Sequence, residues 1–270
     1  MVQRNGIEEL LFVMSRLRDP KTGCPWDKNQ TFESIAPYTI EEAYEVMDAI
    51  KKNDKQQLQE ELGDLLFQIV FYAQLSSEAG DYNFDAIARR IAEKMRDRHP
   101  HVFKQNFSAT VDDCKANWES KKALERENLA LKKDKPVSAL DGIARALPAL
   151  MRAEKLQKRA ALKGFDWKDI NPVLEKIREE LNELEDEISN EPHINRIKEE
   201  TGDVIFSCVN LARHLGIDAE DALRDANDKF DRRFRLLETY VKKDKESIDS
   251  LSIGQMEEYW NIAKESKKEA

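Results

Sequence analysis

Apolar residues recur three and four positions apart through most of the chain, a spacing typical of amphipathic helices. The clearest case is EELGDLLFQIVFYAQ, residues 60–74, where Phe67 and Phe71 lie on the side opposite the main apolar stripe. That stripe consists of Leu62, Leu65, Leu66, Ile69, Val70 and Ala73. A helix that is apolar on two sides is buried on two sides. The pattern therefore predicts a helical bundle with a second interface, for which another subunit is one candidate.

The chain holds only 9 glycines and 8 prolines among 270 residues, so helix-breaking positions are few. The helical spacing and this scarcity together predict an all-α fold. A chain of this length can form one large domain or two modest ones. An internal repeat favours two domains.

The repeat is a pair of acidic segments that occurs twice in the same order. EEAYE followed by EELGD, at 41–45 and 60–64, returns as EELNE followed by EETGD, at 179–183 and 199–203, displaced by 138 or 139 residues. This recurrence predicts a tandem duplication of two helical-bundle modules. We place the first module at residues 1–126, a charged linker at 127–141 and the second module at 142–270.

Each repeat carries two pairs of acids, and the members of a pair are three residues apart. The first repeat has Glu42, Glu45, Glu61 and Asp64, and the second has Glu180, Glu183, Glu200 and Asp203. Residues three apart lie one turn from each other on one helix face. The segment between the two pairs is short, so the two helices are expected to be antiparallel neighbours with four converging carboxylates.

Four close carboxylates repel one another, by up to ~4 kcal/mol per pair at an effective dielectric near 20. Such a cluster needs cations or shared protons. Oxygen-only ligands favour hard ions, chiefly Mg²⁺, with Mn²⁺ as a second possibility. Gly63 and Gly202 directly precede the last acid of each repeat, where the missing side chain predicts close approach of another backbone or of a ligand.

Basic residues accompany the acids mainly in the second repeat. Lys176 lies four residues before Glu180, and Arg196 lies four before Glu200. In the first repeat the same positions hold Tyr38 and Gln57. A later pair, Lys229 and Arg233, adds a basic edge to the second repeat, and Lys94 and Arg98 match it in the first. Trp118 and Trp260 also occupy matched positions near the end of each repeat.

Composition limits the possible partners and compartments. The net charge of −9 and pI near 5.2 argue against nucleic-acid binding, which needs a basic face. Three widely spaced cysteines form no CxxC motif, and no run of 18 apolar residues occurs. We therefore expect a soluble cytoplasmic protein without a membrane or nucleic-acid partner.

The acidic repeat, together with GCPWDKNQTF, RHPHVF, GFDW and VNLARHLG, resembles the MazG family of nucleoside triphosphate pyrophosphohydrolases, in its two-repeat bacterial form. The resemblance covers essentially the whole chain. It implies magnesium-dependent hydrolysis of nucleoside triphosphates to the monophosphate and pyrophosphate, in a homodimer of helical modules. It also implies that the second repeat is the main catalytic one.

The resemblance further implies roles for residues of the second repeat. Metal ligands would be Glu180, Glu183, Glu200 and Asp203. Nucleotide contacts would come from Lys176, Glu179, Arg196, Glu199, Asp203, Lys229, Arg233 and Trp260. Either Glu179 or Glu199 could orient or deprotonate the attacking water.

Two other functions fit the residue pattern. The chain could be a helical interaction module whose acids are solvated helix faces, because an isolated EExxE in a chain that is 36% charged is usually of that kind. It could also be a magnesium-dependent hydrolase of another phosphorylated metabolite.

Overall fold

The computed structural model describes residues 4–103, 110, 113–114, 120–121, 138–190, 192–244 and 246–265, and every regular element in these ranges is helical. The chain divides into two compact units, residues 1–123 and 124–270. The predicted all-α fold with two modules is thereby confirmed. Most of the predicted linker, 127–141, lies outside the described residues, and its exact limits stay a prediction. Trp118 also lies outside them.

Six helices of the first unit lie within residues 4–103, and we number them in chain order. They are α1 (Gly6–Leu17), α2 (Pro25–Lys28), α3 (Phe32–Lys52), α4 (Lys55–Glu78), α5 (Phe84–Arg98) and α6 (Pro100–Phe103). Helix α3 carries the first acidic pair of this unit, and α4 carries the second.

A two-residue turn joins α3 to α4. Asn53 closes α3 in the left-handed conformation (φ 54°), and Asp54 caps α4 by accepting hydrogen bonds from the backbone N–H groups of Gln56 and Gln57. So short a connection turns the chain back on itself, and the two helices pack against each other. The prediction of neighbouring acid-bearing helices is confirmed for this unit.

Helix α4 is buried on one side by the core of the first unit. Met14, Ile35, Val70 and Phe71 are at most 1% exposed, and Leu75 completes their cluster. On its other side, Leu62, Leu66 and Ile69 remain 36–49% exposed. Helix α4 is therefore apolar on two sides, but the division differs from the predicted one. Val70, assigned to the main stripe, is buried in the same cluster as Phe71, and only part of that stripe is uncovered in the single chain.

Within the described residues, the second unit has five helices and a short 3-10 turn at Ile248–Ser250. The helices are α7 (Ala149–Ala161), α8 (Ile170–Ser189), α9 (Ile194–His214), α10 (Ala219–Lys243) and α11 (Ile253–Glu265). Helix α8 packs along α9, and α10 packs against α11 and α7. Helices α8 and α9 carry the acidic segments, as α3 and α4 do in the first unit.

The two mid-helix glycines do not mark a close approach within the chain. A Cβ built on Gly63 or Gly202 would meet no heavy atom within 4 Å among the residues described. The expectation of a nearby backbone from the same chain is therefore wrong, because both glycines lie on a helix surface that no described segment covers. Close approach of a ligand there stays a prediction. No described helix has the length and apolar character required to cross a membrane.

Candidate metal and nucleotide site

Three of the four predicted acids of the second unit converge. Glu180 on α8 and Glu200 and Asp203 on α9 each offer a carboxylate oxygen, and these oxygens lie within 4.8 Å of one another. Glu180 is only 6% exposed, whereas Asp203 is exposed. Glu183 is not part of this set. Desolvation first, and then the charges of Glu183 and Asp203, raise the pKa of Glu200, so Glu183 still belongs to the same electrostatic neighbourhood.

The first unit forms a corresponding cluster with a different membership. Here Glu42 and Glu45 on α3 and Glu61 on α4 bring carboxylate oxygens within 4.8 Å of one another. Asp64 stands outside that set. Burial is the main cause of a raised pKa at Glu42, and the negative charges of Asp64, Glu45 and Glu61 add to it. Both clusters thus disfavour full ionisation without a cation.

A lysine neutralises the buried acid of the second unit. The Nζ of Lys176 lies 2.9 Å from Glu180 Oε1 and 2.8 Å from Glu179 Oε1, which raises the pKa of the lysine, with Glu179 the larger cause. Lys176 is therefore where the sequence placed it, one turn before the cluster. Its ammonium group already has two anionic partners.

Arg196 does not contact the cluster directly. Its Nε lies 2.7 Å from Glu187 Oε1, on the neighbouring helix α8, and its side chain is 61% exposed. Its positive charge still acts on Glu200, where it lowers the pKa and so counteracts part of the rise caused by burial and by neighbouring carboxylates. Lys176 thus contacts an acid of the cluster, whereas Arg196 acts on Glu200 through its charge.

The remaining predicted nucleotide contacts lie on other elements. Lys229 is exposed and Arg233 half-buried on α10, and among the residues described neither forms a hydrogen bond or an ion pair with the acids. Trp260 on α11 packs its ring 5.3 Å from that of Phe230 on α10. Glu199 is exposed on α9, one residue before Glu200.

The first unit replaces both bases near its acids with neutral groups. The ring of Tyr38 packs edge-on against Trp26, with centroids 6.1 Å apart. Gln57 donates a hydrogen bond from Nε2 to Glu61 Oε1, at 3.2 Å. The charge difference noted in the sequence is therefore also a difference in contacts.

A cavity of about 640 Å³ lies beside the acids of the second unit, within the size range usual for small-molecule sites. Its walls include Lys176, Glu180 and Asp203. Trp167 and Asn210 also line it. The sequence interpretation did not identify this cavity. Trp167 lies in GFDW and Asn210 in VNLARHLG, two segments that entered the sequence interpretation only through their resemblance to the family.

A clamp of charged side chains closes one wall of the cavity. Asp166 accepts hydrogen bonds from Arg213 Nη1 at 2.9 Å and Nη2 at 2.5 Å, and His214 Nε2 lies 2.9 Å from Asp166 Oδ1. The Arg213 guanidinium is the main cause of a lowered pKa at Asp166. The clamp fixes the loop that carries Trp167 against the C-terminal end of α9.

The residues present suit a divalent cation. Both clusters consist of carboxylate oxygens alone, the donor type that hard cations prefer, and the oxygens are close enough for one ion to contact several of them. Glu180, Glu200 and Asp203 could hold it in the second unit, and Glu42, Glu45 and Glu61 in the first. The raised pKa values of Glu42 and Glu200 show that the negative charge is not fully offset by the protein itself.

Comparison with known proteins agrees with this geometry. The family model of the MazG nucleotide pyrophosphohydrolase domain matches residues 30–103 and 169–235, which contain both acidic clusters. The chain is 49% identical to a nucleoside triphosphate pyrophosphohydrolase of Escherichia coli over 262 residues, covering 96% of this chain and 97% of the relative. It is 42% identical to a nucleoside triphosphate pyrophosphohydrolase/pyrophosphatase MazG of Thermotoga maritima, covering 95% of each chain.

The match to the family model falls on the same two helix pairs that carry the carboxylates, and the similarity to the relatives runs through both units. The chain therefore belongs to the MazG nucleotide pyrophosphohydrolase family, with one domain of that family in each half.

Proposed function

We propose that this protein hydrolyses nucleoside triphosphates to the nucleoside monophosphate and pyrophosphate, chiefly at the site of its second unit. One observation carries the proposal: the carboxylate cluster of Glu180, Glu200 and Asp203 shares a cavity with the cationic Lys176. Such a cavity offers anionic groups for a metal and a positive charge for phosphate in one place. Relatives of nearly the same length bear the name of this activity.

We further propose Mg²⁺ as the natural cation, with Mn²⁺ able to replace it. When bound, the ion would lower the pKa of a water molecule and offset the charge of the phosphate chain. Carboxylate ligands with open positions left for water and substrate are the usual magnesium arrangement at phosphates. The ligands would be Glu180, Glu200 and Asp203, with Glu183 in reach after rotation of its side chain.

The protein's own groups would bind the phosphate chain and move the proton. Lys176, already near the acids, would contact phosphate oxygens, and Arg196, Lys229 and Arg233 would add charge-assisted hydrogen bonds once nucleotide is bound. Glu179 and Glu199 are exposed acids beside the cluster that the three-oxygen set does not include. One of them, Glu179 or Glu199, would orient the attacking water or accept its proton.

The reaction is tested by incubating the protein with single nucleoside triphosphates and magnesium, then separating the products by anion exchange. Nucleoside monophosphate and pyrophosphate in equal amounts are expected. Release of orthophosphate with a nucleoside diphosphate, or no turnover of any triphosphate, would contradict the proposal. Orthophosphate from other phosphorylated metabolites would instead support the broader hydrolase interpretation.

We expect a homodimer, because apolar residues of the acid-bearing helices are uncovered in the single chain. Leu62, Leu66 and Ile69 on α4 are 36–49% exposed, as are Ile205 and Phe206 on α9 at 49% and 42%. Contiguous apolar patches on a helix face mark association surfaces, and a stable dimer buries at least about 1,000 Å². Light scattering at micromolar concentration should give twice the chain mass of 31.3 kDa. A monomeric mass together with full activity would overturn this expectation.

The net charge of −9 supports the proposal that nucleic acid is not a partner. We propose the cytoplasm as its location, because nucleoside triphosphates in that reducing compartment would be the substrates of such an enzyme. The three cysteines are free thiols, which fits that compartment.

A further inference from the structure

The cavity of the second unit contains more than a phosphate site requires. Its lining joins the charged residues at the acids to an aromatic ring, Trp167, which is 43% exposed, and to amide side chains on α7 and α9. A nucleotide has the same combination of parts, with an anionic chain linked to a flat, polar-edged ring. Phosphate binding alone would not engage the aromatic ring or the amide groups.

Comparison of the two units shows which position differs. Seven residues after the last acid of each repeat, the first unit has Phe71 and the second has Asn210. Phe71 is 1% exposed and packs with Met14 and Val70 in the core. Asn210 lines the cavity. An apolar core residue in one repeat thus corresponds to a polar wall residue in the other, beside an equivalent acidic cluster.

The amide group of Asn210 has a fixed orientation. Its Oδ1 accepts hydrogen bonds from Arg213 Nε at 3.0 Å and from Nη2 at 2.7 Å. A guanidinium can only donate, so the oxygen must face Arg213 and the Nδ2 amino group remains as the free donor. Asp166 holds Arg213 in turn, at 2.5 and 2.9 Å. Asn210 is therefore positioned before any ligand arrives.

A second amide on the same cavity has an unsatisfied oxygen. Gln157 is 8% exposed and donates from Nε2 to the carbonyl oxygen of Phe206 at 2.8 Å, which fixes its orientation as well. Among the described residues its buried Oε1 has no hydrogen-bond partner. A buried unpaired acceptor is unfavourable, and an N–H donor of a ligand in the cavity would satisfy it after a small movement of the side chain. This is an independent indication of a ligand.

We propose that this cavity binds the nucleobase of the triphosphate and that Asn210 is a specificity-determining residue, an inference that rests on the proposed function. Asn210 donates to a carbonyl oxygen or ring nitrogen of the base, Gln157 accepts from an amino or imino group, and Trp167 covers a face of the ring. Asp166 and Arg213 act through Asn210 and are positioning residues.

Two substitutions of Asn210 test the proposal. Asn210→Asp keeps the size and the bond to Arg213 but replaces the free donor with an acceptor. Asn210→Leu removes both polar atoms. Asn195, exposed near the start of the same helix, provides the matched controls Asn195→Asp and Asn195→Leu. Thermal unfolding of each variant would show that it is folded.

The main readout is kcat/KM for triphosphates of adenosine, guanosine, cytidine and uridine. Wild-type protein is expected to prefer some bases over others, and each Asn210 variant should lower kcat/KM for the preferred base by about tenfold or more, mainly through KM. The order or spread of preferences should change, whereas the Asn195 variants keep the wild-type pattern. Equal values for all four bases in the wild type, or an unchanged pattern in both folded Asn210 variants, would overturn the proposal.

A binding measurement separates this proposal from the proposed reaction. Titration calorimetry with the four nucleoside monophosphates in EDTA requires no turnover. Base-dependent affinity that weakens about tenfold in Asn210→Asp would support the pocket even if no triphosphate yielded pyrophosphate. Pyrophosphate release with base-independent affinities, unchanged by the substitutions, would support the reaction and reject the pocket.

Discussion

Glu200→Gln or Asp203→Asn is expected to remove nearly all triphosphate hydrolysis, whereas Glu61→Gln or Asp64→Asn is expected to leave most of it. Both units bring three carboxylates within 4.8 Å, so both can attract a cation. In the second unit Lys176 contacts Glu180, whereas the corresponding position of the first unit holds the uncharged Tyr38. Charge-assisted bonds to phosphate contribute about 1.5–3 kcal/mol each. The loss of two such bonds weakens nucleotide binding by orders of magnitude.

The four variants should be compared at equal concentration and after a check that each remains folded and keeps the oligomeric state of the wild type. Pyrophosphate release is the measurement. Because the substitutions are isosteric and occupy equivalent positions, each variant in the first unit is the control for its counterpart in the second. Equal losses from both members of a pair would contradict the asymmetry. That outcome would indicate that the first unit has its own substrate and receives cations from another part of the assembly.

Removal of the metal should abolish turnover without unfolding the protein. EDTA is expected to reduce pyrophosphate release to background, and added magnesium should restore it. Burial first, and then the charges of neighbouring carboxylates, raise the pKa of Glu42 and of Glu200. A bound cation relieves this repulsion, so magnesium at about 100 times its dissociation constant should stabilise the folded state by about 2.7 kcal/mol and raise the unfolding temperature.

Circular dichroism in EDTA at the assay temperature is the control, and the helical signal should persist. This separates loss of the cofactor from loss of the fold. A full rate of hydrolysis in EDTA would contradict the metal proposal. Loss of helical signal at the same EDTA concentration as loss of activity would contradict the claim that the cation acts in the reaction itself.

The acidic helix pairs could be predicted from sequence because their information is local. Residues three apart share a helix face, and a short turn returns the chain, so Glu42 and Glu61 must meet once the helices form. Arg196 shows the limit of this logic. Its spacing placed it near Glu200, but the antiparallel neighbour also offers Glu187, and only packing decides between the two acids.

The cavity could not be predicted from the sequence, for a similar physical reason. It depends on Asp166 meeting Arg213 across 47 residues, and nothing in the spacing of either segment indicates that pairing. The one usable signal was the difference between repeats at Phe71 and Asn210. A polar residue at a position that its own duplicate buries is a sign of a ligand or of a changed packing, and the two can be separated only in the structure.

We expect the second unit to be the less stable half of the protein on heating. Among the described residues, the large apolar side chains at most 3% exposed are Phe71, Met14, Ile35 and Val70 in the first unit, against Leu237, Val173, Val209 and Val241 in the second. Smaller buried side chains provide less hydrophobic stabilisation. We therefore expect the second unit to melt first and a calorimetric scan to resolve two transitions.

Nucleotide binds only the folded form and is expected chiefly at the second unit, so it should raise the lower transition more than the upper one. Magnesium, for which both units have a carboxylate cluster, should raise both. The amount of intact second unit then depends on the supply of nucleoside triphosphate. In a cell depleted of its triphosphates, this half would unfold and be degraded sooner than its duplicate, so the lifetime of the enzyme would follow the abundance of its own substrate.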